Sequence, residues 1–370
     1  MTQKSLIDVL NEPSPLGQLV EKLETANKFK HDMVVKGNLI NYSNGHIVVS
    51  ADGTMSRFAP TRHFHVQTAE KLGIPQKYYD RMIVEYPELL EYNINMWLSK
   101  DAHARYLLRC FNAPDVKIAR ALLSDRYNRI DNYDVLFTAL ETIKKMGVNV
   151  KITKAEITDK RMHLHVVCPD VEVQAEAYLK EYLKKNNAAG NGIVSGFVIT
   201  NSEIGLGTFE IRPRAVICKC NNGLVVKDDS YKRVHLGSRM SEGVIEWSEA
   251  TKQKNYELIM LQTRDAIKTF LSKDYLGKMV QRIADASEVR LTYPIDTIQH
   301  VTKELGVSDD KKREILSYFT SDGDTSAAGI FHAVTRAAQT MDADTQFEVE
   351  CNAFDMLPKI KKYDKVFSRN

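Results

Sequence analysis

GFVITNSEIGLGTFEIRPRAVICKCNNG, residues Gly196 to Gly223, joins two β-type runs through a polar turn, and the rest of the chain is read outward from it. Phe197, Val198 and Ile199 open the first run. Asn201, Ser202, Glu203, Gly205 and Gly207 then turn the chain, because glycine tolerates positive φ and Asn and Ser side chains bond to nearby backbone. The return run alternates, with Phe209, Ile211, Ala215 and Ile217 on one side and Glu210, Arg212 and Arg214 on the other. Asn222 and Gly223 supply the next turn. The stretch predicts a core hairpin.

Upstream, Val148 to Ile157 and Met162 to Cys168 read as strands joined by a turn at Thr158 to Arg161. His163 and His165 share one side of the second strand; with no third ligand at a recognisable spacing they predict an exposed polar sheet face rather than a metal site. Before them a helix carries Leu136, Leu140 and Ile143, with Asp131 or Asn132 as its cap and Gly147 as its stop. Arg105 to Phe111 and Val116 to Leu122 are two further strands, and strict alternation puts Arg105 and Arg109 on the face of Leu107 and Phe111. Asn44-Gly45 and Asp52-Gly53 punctuate a small antiparallel meander over residues 33 to 58. Helices start at Ser14, Thr61, Pro75 and Pro87, and the turn Leu72-Gly73-Ile74-Pro75 is compatible with a helix-turn-helix presenting Gln76, Lys77 and Arg81, or with a plain packing unit.

Downstream, helical patterns run from Glu246 to Leu271 and then near 277 to 287, 294 to 305, 309 to 319 and 325 to 340, ending in a basic tail, Lys359 to Arg369, read as disordered or as a contact arm. The expected fold is α+β, an antiparallel sheet with helices followed by an all-helical C-terminal region, divided as 1–242 and 243–370. Asn186 to Gly192 is loop-like.

With 51 basic and 48 acidic residues the net charge is +3, so attraction to a polyanion has to come from a local patch. No apolar run approaches the ~20 residues of a membrane span, and the start MTQKSLIDVLNEPSPLG lacks the regions of a signal peptide, so a cytoplasmic protein without a membrane partner is expected. Five scattered cysteines without a CxxC pair argue against disulfides and structural zinc. No Walker loop, dinucleotide fingerprint, HExxH or nucleophile elbow is present, and no cofactor or metal is expected.

Two site readings follow. Arg105, Arg109, Arg126, Arg129, Arg212, Arg214, Lys232 and Arg233, interleaved with Tyr127 and other tyrosines, have the composition of a phosphate-binding groove with stacking rings, which favours single-stranded DNA; Arg212 and Arg214 are equally compatible with pairing to Glu210 and other carboxylates across the sheet. Alternatively, Asp125, Arg126, Asn201, Glu203 and His235 form an enzyme site on a small molecule or nucleotide, with Asp125 or Glu203 as acid/base, Cys218 or Cys220 as nucleophile and His235 as partner. A role as a protein-binding host-defence antagonist is a third reading.

Three segments together carry a resemblance: Leu123-Ser124-Asp125-Arg126-Tyr127 with Arg129-Ile130-Asp131-Asn132, then Asn201-Ser202-Glu203-Ile204-Gly205-Leu206-Gly207, then Cys220-Asn221-Asn222-Gly223-Leu224. Leu72-Gly73-Ile74-Pro75, His235-Leu236-Gly237 and Ala333 to Ala338 support it, covering most of residues 60 to 340. In these the chain resembles the phage/plasmid-like proteins, a family of unknown function, from whose pattern it departs at Asn221, where Thr is usual. The resemblance implies a mobile-element context in a bacterial host and an α+β core followed by helices. It assigns no catalytic role. The reading taken forward is a phage or plasmid accessory protein that binds single-stranded DNA in replication or recombination, for which homo-oligomer formation would fit.

Overall fold

The chain enters through α1 (Pro15–Phe29), which starts where the Ser14 hydroxyl accepts the Gly17 amide at 3.1 Å. A first sheet follows: β1 (Lys30–Lys36), β2 (Ile40–Ser43), β3 (His46–Ala51), β4 (Thr54–Pro60), β5 (Arg105–Asn112) and β6 (Lys117–Ser124). Asn44 and Gly45 take φ of 49° and 75°, the left-handed pair that turns β2 back into β3 with the twist of the strands. The order is β1-β5-β6-β4-β3-β2, antiparallel at every pairing except β4 with β6. The computed structural model describes residues 14–51, 54–100, 103–174, 192–217, 223–225, 230–233 and 248–367. The expected Asp52-Gly53 turn and all but the last residue of the Asn186 to Gly192 loop lie outside them.

Three helices cover one face of this sheet: α2 (Arg62–Leu72), α3 (Gln76–Glu85) and α4 (Pro87–Lys100). Thr61 caps α2 through Phe64 N, and Gly73, at φ 68°, ends it. Phe64, Tyr79, Met82, Leu90, Ile94 and Leu98 pack on Val35, Val49, Phe58, Leu108 and Leu122. Each such fully buried side chain contributes about 2 kcal/mol of transfer free energy. The pair read as a helix-turn-helix or a packing unit packs here, and its Arg81 lies against Glu85 at 2.7 Å.

From α5 (Asn132–Met146) the chain passes to a second, antiparallel sheet: β7 (Lys151–Ile157), β8 (Met162–Gln174), β9 (Gly192–Asn201), β10 (Phe209–Ile217) and β11 (Gly223–Val225), with β12 (Tyr231–Arg233) also on β10. The expected core hairpin is β9 with β10, in register from Thr200↔Glu210 to Ile193↔Ile217. Helices α6 (Glu249–Phe270), α7 (Lys273–Ser287), α8 (Pro294–Glu304), α9 (Asp309–Asp322), α10 (Ala327–Ala338), α11 (Ala343–Met356) and α12 (Ile360–Phe367) complete an α+β fold with a helical C-terminal region. One core joins Leu19 and Leu23 of α1, Leu136 and Ile143 of α5, Phe197, Ile199, Phe209 and Ile211 of the sheet, and Ile267, Ile283, Ile330 and Phe354 of the later helices. Residues on both sides of position 243 therefore share it.

Two expectations are corrected. The polar side of the second sheet is covered rather than solvated: β9 is buried at all ten positions, and His163 and His165 are buried beneath α11. The basic tail is neither a disordered segment nor an arm as far as Phe367, because Ile360 of α12 is buried and Asp364 accepts the amides of Thr292 and Tyr293 at 3.0 and 2.7 Å, fixing the start of α8.

Gly196 is where the hairpin runs closest to neighbouring backbone. A Cβ there would stand 2.2 Å from the Val166 carbonyl oxygen of the neighbouring strand, and backbone cannot give way as a side chain can. Gly196→Ala should cost about 3 kcal/mol, whereas Gly277→Ala, in the middle of α7 with open space around it, should gain about 0.5–1 kcal/mol. Urea midpoints of the two variants test both, and equal midpoints would refute this account of the hairpin.

Candidate functional site

Two of the three segments that carry the resemblance, residues 123–132 and 201–207, meet between the two sheets. The face of β5 opposite α2 to α4 carries Leu107 and Arg109; Leu107 packs with Ala121, Leu123 and Ile204, and Tyr127 lies against this cluster. Beside it Arg109, fully buried, is held from three sides. Asp32 of β1 accepts at 3.0 and 3.2 Å, Asp131 at 2.5 Å and the Glu203 carbonyl at 3.0 Å. Lys30 also reaches Asp131, at 2.5 Å.

This geometry reassigns the cap of α5. Asp131 occupies the N-cap position, but its side chain makes no capping bond because Arg109 and Lys30 take both oxygens. Glu203 substitutes: its Oε1 accepts the Asn132 amide at 2.8 Å and its Oε2 accepts from Arg120 at 2.9 Å. A carboxylate at a helix N-terminus gains from the dipole and from the otherwise unpaired amide. Asn201 donates to the Ile130 carbonyl and the Asn132 side chain, both at 2.8 Å, and Ile204 O accepts from Gln67 and His63, each at 2.8 Å. The turn itself is fixed by Leu206 N to Ser202 Oγ at 3.0 Å, with Gly205 at φ 82°.

Burial would raise the Asp131 carboxyl, but the Arg109 and Lys30 cations overcome it and hold it below the ordinary carboxylate range. Burial pushes the Tyr127 hydroxyl well up, and that hydroxyl donates to the Ser202 carbonyl at 3.0 Å. Glu203 is therefore a buried cap and Tyr127 a packed ring, so neither serves the role expected of it. Asp125 is half-buried beside Ser124 and has no contact with Glu203 among the described residues, while His235, Cys218, Cys220 and Asn222 lie outside the described residues. The expected acid/base cluster does not assemble from Asp125 and Glu203.

The groove reading is corrected in the same way at three arginines. Besides Arg109, Arg212 is buried, ion-paired with Glu210 and stacked 4.7 Å from the centre of the Phe347 ring. Arg214 is buried with Glu350 at 3.7 Å and Thr153 at 3.4 Å, and burial lowers its affinity for its proton despite Glu350. Helix α11 supplies this cover: Asp344 meets His163 at 2.8 Å, Gln346 meets Lys154 at 2.9 Å, and Glu350 accepts from Gln339 and Gln346. Phosphates cannot reach cations enclosed in this layer.

What remains outside is a rim. Lys36 is the register partner of Arg105, and Tyr106 that of Ser124, so the Ser124 to Ile130 segment leaves the first sheet beside Arg105. Lys36, Arg105, Arg126 and Arg129 are all exposed, and none is ion-paired with a carboxylate among the described residues. Lys232 is exposed but lies 3.5 Å from Glu210, on the second sheet. Arg233 belongs to β12, and its side chain is outside the described ones. Lys36 escaped the sequence reading because a lone lysine ending a strand has no local signature; its pairing with Arg105 exists only in the sheet. Asp32, Arg120 and Gln67 were missed for the same reason.

Among the described residues no group of three or more His, Cys, Asp or Glu is placed to hold a metal ion, and no helix is long and apolar enough to cross a membrane. No protein family, curated protein or solved structure matches the chain.

Arg109→Met should destabilise the protein by about 3–5 kcal/mol, since it leaves two buried carboxylates facing each other. Glu203→Gln, which keeps the shape of the cap, should cost only about 1–2 kcal/mol. The double charge reversal Arg212→Glu, Arg214→Glu should prevent folding rather than report on a ligand. Urea melts with circular dichroism check all three, and an unaffected Arg109→Met would remove the seam from this account.

A pH dependence follows from the histidines. Burial lowers the pKa of His163, against the pull of Asp344, takes His165 well below the ordinary value and puts His332 at about 4. The unfolded chain protonates them below about 6.5 while the fold does not, so stability is level above that pH and falls below it by up to about 1.4 kcal/mol per unit for each histidine. The urea midpoint should agree at pH 7 and 8 and drop clearly by pH 5.5; a midpoint constant down to pH 5 would contradict it.

Proposed function

We propose that this protein binds nucleic acid through the sugar-phosphate backbone, as an accessory protein of a phage or plasmid acting in replication or recombination in the bacterial cytoplasm. The observation that carries the reading is the rim of Lys36, Arg105, Arg126 and Arg129, four exposed cations without a described carboxylate partner at one end of the first sheet. Solvated cations set side by side neutralise neighbouring phosphates and release their counterions, and that is sufficient for sequence-tolerant binding. A net charge of +3 supplies little general attraction, so the patch has to do it.

Arg109, Arg212, Arg214 and Tyr127 have no part in this reading. With Tyr127 half-buried against Leu107 and Leu123 and its hydroxyl held by the Ser202 carbonyl, this reading does not rest on base stacking, and the choice among single-stranded DNA, duplex and RNA passes to experiment. The mobile-element setting rests on the resemblance at residues 123–132 and 201–207, and self-association belongs to the same reading.

Fluorescence anisotropy with labelled single-stranded DNA, duplex DNA and RNA, titrated across salt, tests it. If all four cations meet phosphates of a single strand, log K should fall with log salt at a slope of about −3, and the triple variant Arg105→Ala, Arg126→Ala, Arg129→Ala should lose about 2 of that slope while melting like the wild type. Absence of binding to all three at low salt would overturn the proposal.

A further inference from the structure

Helix α4 is apolar on two opposite faces. Leu90, Ile94 and Leu98, spaced four residues apart, are buried on the first sheet. On the other side Leu89, Tyr92 and Met96 stand 41%, 64% and 53% exposed, with Tyr86 and Trp97 exposed beside them. A helix that is hydrophobic around its circumference is normally covered around its circumference. The spacing of three and four between Leu89, Tyr92 and Met96 is that of a helix-pairing seam. Of the sixteen large apolar side chains exposed among the described residues, seven fall between Tyr78 and Trp97, a concentration that marks an interaction surface.

We infer that this face of α4 is a homodimer interface, in which α4 pairs antiparallel with α4 of a second copy. The charges select this occupant. Glu88 stands exposed in the first turn and Lys100 in the last. A two-fold axis between Tyr92 and Asn93 sets Leu89 against Met96 of the partner subunit and brings Glu88 within reach of Lys100 of the partner subunit, twice by symmetry. The antiparallel arrangement also opposes the two helix dipoles favourably. Glu88 stands exposed beside the N-terminal end of the stripe and repels phosphate, so its rings are not a platform for bases. The inference gives the self-association of the proposed function a surface, but it is argued from α4 alone and survives a failure of nucleic-acid binding.

Sedimentation equilibrium of the full chain without nucleic acid should show a reversible dimer. Tyr92→Lys with Met96→Lys should give monomer with an unchanged thermal midpoint, since both side chains face outward. Glu88→Lys and Lys100→Glu should each weaken dimerisation roughly tenfold or more, and the double swap should restore it. A wild type that stays monomeric up to about 100 μM, well above the Kd of a specific dimer, or a dimer indifferent to all these substitutions, would overturn the assignment.

Discussion

A guanidinium with no access to water is the constraint on which the joining of the two sheets depends. Arg109 cannot be buried unless its charge is answered, and the answers come from β1 through Asp32, from the start of α5 through Asp131 and from the hairpin turn through the Glu203 carbonyl. Each answer then creates a further demand. Because Asp131 is drawn to Arg109 and Lys30, the first amide of α5 needs another acceptor, and Glu203 supplies it. Because Glu203 must reach that amide, the turn after β9 has to be tight, which the left-handed Gly205 and the Ser202 hydroxyl provide. Segments some seventy residues apart in the chain are mutually dependent through one side chain.

Much of the frame was legible because it is written in local chemistry. Asn44-Gly45, the Ser14 and Thr61 caps and the stops at Gly73 and Gly147 each act within a few residues, and the structure uses them as the sequence implies. The alternation in β10 was read correctly as well, with Phe209, Ile211 and Ala215 in the core. What alternation could not say is what faces Arg212 and Arg214. A polar strand face toward water and one toward a polar helix have the same pattern, and only the position of α11 separates them.

Helix α11 was itself invisible for a physical reason. Gln346 and Glu350 are buried along with Phe347, Val349, Cys351, Ala353, Phe354 and Met356, and within the helix only Thr345 and Glu348 stand exposed, so buried polar residues blur the 3.6-residue period that an amphipathic helix shows. Its acids and amides look like surface residues and act as counter-charges inside the protein. The same blindness affected the site: Arg105 and Arg109 lie four residues apart on one face of one strand, yet one is solvated and the other enclosed, because Arg109 lies under the segment that leads into α5 and the turn after β9.

This sorting of cations decides where a function can reside. Within residues 123–132 and 201–207, Tyr127, Asp131, Asn132, Asn201, Ser202 and Glu203 spend their polar groups on one another, on backbone and on Arg109 and so form a joint, whereas Arg126 and Arg129 stay exposed. The side chains of the joint speak to how the chain folds, whereas a ligand meets the groups that the fold leaves in solvent. In the first sheet these include the cations of the rim, whose exposed side chains lie outside its core. The joint and the proposed rim therefore use different side chains, although Arg126 and Arg129 of the rim lie in the same stretch of chain that closes the joint through Tyr127 and Asp131.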